Sequence, residues 1–160
     1  MLVTLPSGYN WQEGQRQDQQ RLQQWLAATL QETFPQQQSW SHLQTTVEQL
    51  YDPPTTPCWW IRWQKDGSFV GCGWAGVSRD QVTHDRIAYI FLIRVDPAHQ
   101  HRGLGRALLQ IITEWAKSRE LRGLSLQVFS HNETALKFYQ QLGFHLQGYW
   151  MGKSLSSMDI

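Results

Sequence analysis

The sequence predicts an α/β domain of three layers, or its α+β variant, built on a mixed, mainly antiparallel sheet flanked by helices. Three observations carry that expectation. Residues 58–65 and 68–77 are β-prone runs on either side of Asp66-Gly67, a strong hairpin turn. Residues 87–95, IAYIFLIRV, are long and apolar enough to be a central strand. From Leu104 onward, helical and strand periods alternate, and that order brings helices against a mixed sheet.

Taken in order, residues 2–5 read as a short strand, and Pro6, Ser7, Gly8 and Asn10 punctuate a turn after it. Leu22, Trp25, Leu26 and Leu30 recur at helical spacing within 15–34, and Pro35 ends that helix. A second helix is expected over 39–51, with Ser39 or Ser41 as cap and Leu43, Val47 and Leu50 on one face. Asp96-Pro97 closes the central strand. Leu104, Ala107, Leu108, Ile111, Ile112 and Trp115 then mark an amphipathic helix to about Arg119. Residues 123–129 read as a strand and 132–142 as a helix capped by Gly143. The stretch 144–155 alternates enough for one or two last strands.

The chain has 160 residues and a mass of 18.7 kDa, the length of one domain, so 1–160 is read as a single unit. A net charge of +1 offers no global field for nucleic acid or an anionic membrane, so any anion site must be local. No apolar run is long enough to span a bilayer, and MLVTLPSGYN lacks the pattern of a secretory leader, which makes the cytoplasm the expected compartment. Cys58 and Cys72 lack the spacing of a redox or zinc motif and read as small hydrophobes, so no metal is expected. Of the tryptophans at 59, 60, 63 and 74, most are expected in the core, with some left to line a pocket.

The segment 95–109, VDPAHQHRGLGRALL, carries the chemistry. A strand ends, a glycine-containing loop follows and a helix begins. Several backbone N–H groups therefore converge at the positive end of a helix, a place that binds phosphate. Gly103 and Gly105 remove side chains that obstruct a pyrophosphate, and Arg102 and Arg106 add charge at its edge. Gly105-Arg106-Ala107 is not the Gly-Lys-Ser/Thr of a Walker loop, and Leu108 stands where a dinucleotide fingerprint needs Gly or Ala.

Gln100-x-x-Gly103-x-Gly105, after Val95-Asp96-Pro97 and before Ala107-Leu108-Leu109, resembles the signature loop of the GNAT superfamily of acetyl-CoA-dependent N-acetyltransferases. Asn132-x-x-Ala135-x-x-Phe138-Tyr139-x-x-Leu142-Gly143-Phe144 is similar to that superfamily's closing helix and turn. In motif the chain is nearest to the branch that acetylates the N-terminus of ribosomal proteins. The resemblance implies transfer of acetyl from acetyl-CoA to a primary amine, a small molecule or a peptide, by direct attack in a ternary complex. It implies that Gln100, His101, Arg102, Gly103, Leu104, Gly105 and Arg106 hold the coenzyme A pyrophosphate. It further implies that Ile93, Arg94 and Val95 pair with the pantetheine arm where their strand splays from 124–129 at a bulge, that Asn132 contacts that arm, and that Tyr139 protonates the leaving thiolate. From the residues alone Tyr139 is equally an ordinary helix-face aromatic and Asn132 an N-cap. Homodimers are common in similar proteins; no nucleic acid or membrane partner is implied.

One departure leaves an alternative open. The ribosomal branch has Glu where this chain has Gln127, and the carboxylate of another branch aligns with Tyr89. An amide cannot act as a base. Asp85, His84 and His131 are the remaining candidates, with Glu32, Glu48 or Asp52 as charge at the cleft mouth. An acyl-CoA-binding sensor or interaction domain without turnover is the alternative function.

Overall fold

The computed structural model describes residues 2–156. The chain divides into two compact units, Met1–Gln127 and Val128–Ile160. The first holds a five-stranded sheet of β1 (Tyr9–Glu13), β2 (Cys58–Trp63), β3 (Phe69–Arg79), β4 (Arg86–Val95) and β5 (Leu124–Ser125), side by side in chain order. The first four strands are antiparallel neighbours; β5 joins β4 in parallel. Three helices, α1 (Gln19–Thr33), α2 (Leu43–Leu50) and α3 (Leu104–Ser118), belong to the same unit. In the second unit α4 (Glu133–Gln141) follows Asn132.

Strand alternation sorts the core into two layers. On one face Cys58, Trp60, Cys72, Trp74 and Leu92 pack with Leu22 of α1, Val47 of α2 and Tyr51. On the other, Ile61 and Val70 pack with Leu104 and Leu108 of α3, and Ile93 and Val95 join them. The expected three layers therefore form, helices on both faces of a mixed sheet. Trp59, Trp60 and Trp74 are all buried, which settles most of the tryptophan cluster as core. Trp59 meets Trp115 of α3 edge-on at 5.5 Å, and Trp60 meets Trp25 of α1 at 5.7 Å. Gly67 takes φ +74° at the hairpin, a left-handed turn that glycine adopts without penalty.

Four element boundaries differ from expectation. Residues 2–5 form no strand; the first strand is Tyr9–Glu13, paired with Trp59–Trp63. Its sequence, YNWQE, is polar because it is an edge strand with only Tyr9 buried. The second helix begins at Leu43, because the Ser39 hydroxyl accepts from the Ser41 N–H and so caps nothing. The strand expected over 123–129 shrinks to Leu124–Ser125. Residues 144–156 form no strand, since alternation alone does not supply a partner ladder, and Tyr149, Trp150 and Met151 are exposed. Among the described residues no helix is long and apolar enough to cross a membrane.

Candidate functional site: the β4–α3 loop and the α4 tyrosine

The two unit-1 features of interest meet at the end of β4. Asp96 starts the turn: its carboxylate accepts from the Ala98 N–H at 2.9 Å, and its carbonyl from the His99 N–H at 2.9 Å. Gln100 donates its side-chain amide to the Val95 carbonyl at 3.3 Å. His101 and Gly103 then take φ +61° and +84°, two left-handed positions on either side of Arg102 that swing the chain into α3. A left-handed histidine costs about 1 kcal/mol or more and occurs where surrounding structure demands it.

No side chain caps α3, and no acidic residue sits in its first turn. The helical ladder begins with the Ala107 N–H on the Gly103 carbonyl at 3.1 Å. The N–H groups of Leu104, Gly105 and Arg106 thus precede the ladder and point out of the helix's positive end. Arg106 makes no ion pair among the described residues. Arg102 instead donates to the Tyr9 hydroxyl at 2.7 Å. The first turn of α3 is thus a cradle of three backbone N–H groups ahead of the helical ladder, flanked in the chain by Arg102 and Arg106.

Beside it, β4 has no strand partner on one side beyond Tyr89 among the described residues. The parallel pairing with β5 covers only Ala88↔Leu124 and Tyr89↔Ser125, while β4 runs on to Val95. On its other side, β4 slips register against β3: Trp74 faces Leu92 but Ala75 faces Ile90, so Phe91 is the extra residue. That bulge puts Phe91 and Leu92 on the same face. Gly76 makes room for the Phe91 ring, since a Cβ there meets Thr56 Cγ2 at 2.8 Å and Phe91 Cε2 at 3.0 Å. Ile93 and Val95 turn inward toward α3, whereas the Arg94 guanidinium, 13% exposed, grips both Glu32 oxygens at 2.8 and 2.9 Å. The hydrogen bonds from Arg94 hold the Glu32 carboxyl below the usual range. Neither side chain is free at the loop. Asp52 pairs with Arg16 and Glu48 accepts from Gln44, so the three acids considered for the cleft mouth are all engaged. Burial raises the Tyr89 phenol, and Gln127 is exposed outside any strand.

In the second unit Asn132 is the N-cap of α4, accepting from the Ala135 N–H at 3.2 Å. Tyr139 lies between Phe138 and Phe144, with ring centroids 5.0 and 5.5 Å away. Burial pushes its phenol up to about 12. Its hydroxyl makes no hydrogen bond among the described residues. Gly143 takes φ +93° and closes the helix as expected. The structure therefore gathers Ile93 through Arg106 at one junction, and Asn132 with Tyr139 on one short helix. Sequence reasoning missed Tyr9 and His99, which sit at that junction; no local motif marks either.

The family model described as the acetyltransferase (GNAT) family matches residues 19–144. The chain belongs to the GNAT family. It is 29% identical over 124 residues to the mycothiol acetyltransferase of Acidothermus cellulolyticus, a match covering 71% of this chain and 38% of that protein. The chain thus spans about two fifths of that curated relative. Its fold is similar to that of the ribosomal-protein-alanine N-acetyltransferase from Brucella melitensis, with a TM-score of 0.69 at 19% identity over 92% of this chain and 99% of that one. It is also similar to a predicted acetyltransferase from Clostridium acetobutylicum solved with acetyl-CoA, with a TM-score of 0.77 at 14% identity over 92% and 96% of the two chains. A GNAT sheet with an open β4 edge beside an uncapped α3 is what this chain builds from its own residues.

Proposed function

We propose that the protein is an N-acetyltransferase that moves acetyl from acetyl-CoA to a primary amine by direct attack in a ternary complex, and that residues 1–160 act as one such domain. The observation that carries this reading is the pairing of two sets of backbone groups: the first-turn amides of α3, which precede its ladder, and the β4 edge beyond Tyr89, where no strand pairs among the described residues. Both suit a ligand with a diphosphate at one end and an amide-bearing arm.

The amides of Leu104, Gly105 and Arg106 would hold the diphosphate, with Gly103 keeping the approach clear and Arg102 and Arg106 adding charge. Ile93, Arg94 and Val95 would contribute through their backbone, as Gln100 and His101 would through the loop. Acetyl-CoA supplies an activated thioester. The acceptor would approach from the side of α1 and α2, which in similar proteins lines the acceptor. In the reaction the amine nitrogen would form the C–N bond as the C–S bond breaks, and the resemblance gives Tyr139, its phenol raised by burial, as the group that would protonate the thiolate. Asn132 keeps its side-chain N–H groups available for the arm while its oxygen caps α4. The amine's own proton leaves to water, since Gln127 offers an amide.

The test is thiol release from acetyl-CoA against a panel of small amines and N-terminal peptides. Release with an acceptor, coupled to an acetylated product, is the expected result. Coenzyme A binding without release for any acceptor overturns turnover and favours the sensor alternative. Two free, buried cysteines fit a reducing compartment, and cytoplasmic residence is part of this proposal.

A further inference from the structure

Arg102 does not stand free at the loop. Its Nη1 donates to the Tyr9 hydroxyl at 2.7 Å, and that hydroxyl lies 2.8 Å from His99 Nδ1. A guanidinium has no lone pair, so the phenol oxygen must accept from Arg102. The second bond, between the phenol and His99 Nδ1, takes its direction from the imidazole tautomer. A chain of two hydrogen bonds links Arg102 through Tyr9 to His99.

Each member is fixed by something else. His99 is only 8% exposed, its N–H bonds to the Asp96 carbonyl at 2.9 Å, and its ring meets Trp63 at 4.8 Å. Tyr9 is buried with Ile61, Leu104 and Leu108, so its ring is anchored to the first turn of α3. The Tyr9 N–H turns back to the Pro6 carbonyl, and Pro6 Cγ stands 3.9 Å from where a Gly103 Cβ would lie. The left-handed His101 and Gly103 on either side of Arg102 leave its backbone no support from a regular element. Its side chain is held instead by a phenol 93 positions away.

We infer that Tyr9 is a positioning residue for coenzyme A binding: through its bond from Arg102, backed by His99, it holds the guanidinium at the rim of the α3 cradle. This rests on the proposed coenzyme A site. Ordering a long cation before the ligand arrives removes an entropic cost of binding. The substitution Tyr9→Phe keeps the buried ring and deletes only the hydroxyl, and His99 Nδ1 remains beside it.

The experiment is calorimetric titration of coenzyme A into wild type, Tyr9→Phe, Arg102→Gln and the double variant, with kcat measured at saturating acetyl-CoA. Tyr9→Phe is expected to weaken affinity about tenfold, the scale of one hydrogen bond to a charged group, with kcat unchanged. The double variant should bind no more weakly than Arg102→Gln alone, since both deletions remove one linked element. Effects that simply add, or Tyr9→Phe affinity within about twofold of wild type, overturn the role of Tyr9. Arg102→Lys provides a second reading if Tyr9→Phe fails to fold: it keeps the charge but not the planar fork. Affinity as weak as in Arg102→Gln supports the pinned geometry, and wild-type affinity overturns it. Wild-type protein that takes no coenzyme A overturns the proposed function itself, a result distinct from intact wild-type binding with an indifferent Tyr9→Phe.

Discussion

Replacing Gly105 by Glu separates anion binding by the first turn of α3 from the stability of the helix. Gly105 is the second residue of α3 and is helical, so Glu fits its backbone without strain. Removing a helical glycine gains about 0.5–1 kcal/mol. A carboxylate beside the uncapped amides gains about 0.3–1 kcal/mol more from the helix dipole. The variant is therefore expected to be about 1–2 kcal/mol more stable, a rise of a few degrees in Tm for a chain of this size. The same carboxylate occupies the amides of Leu104, Gly105 and Arg106 and faces the diphosphate. Like charges about 4–5 Å apart at an effective dielectric near 20 repel by about 3–4 kcal/mol, a loss of a hundredfold or more in affinity. Thermal unfolding and calorimetric titration with coenzyme A, run on the same preparation, check both signs. Affinity within about threefold of wild type refutes the placement of the diphosphate. A fall in Tm refutes the claim that this turn is uncapped.

Three further outcomes follow from the same structure. Tyr139→Phe is expected to lower kcat by more than it raises KM for acetyl-CoA; steady-state kinetics showing an unchanged kcat remove the proton-donor role. Glu32→Gln should cost about 0.5–1 kcal/mol at neutral pH, a modest figure because Glu32 is solvent-screened. The Glu32 carboxyl is held low in the folded state, so its contribution is present above the ordinary carboxylate range and fades as pH falls below it. Denaturation curves at neutral pH and near pH 3 should show the gap between wild type and variant closing; a pH-independent gap removes the ion-pair explanation. Burial raises the Cys58 thiol to about 12 and the Cys72 thiol well above its ordinary value. Neither should react with a thiol reagent in the native protein near pH 8, and both should after denaturation; prompt native labelling contradicts their burial.

The sequence by itself determined what depends on neighbouring residues. Asp66-Gly67 announced its hairpin because only a left-handed residue closes that turn, and Gly67 is one. The period of α3 and the glycine before it announced an uncapped helix start, since helical spacing and backbone freedom are local properties. Asn132 and Gly143 bracketed α4 for the same reason. The tertiary structure alone decided the rest. β1 escaped notice because an edge strand with one buried tyrosine has no apolar alternation to read. The slip at Phe91 and the stop of β5 after Ser125 are properties of a pair of strands, and neither strand contains the other's register. Arg94 finding Glu32 and Arg102 finding Tyr9 join positions 62 and 93 apart. Which distant groups meet depends on how the layers pack, and no stretch of chain encodes that on its own.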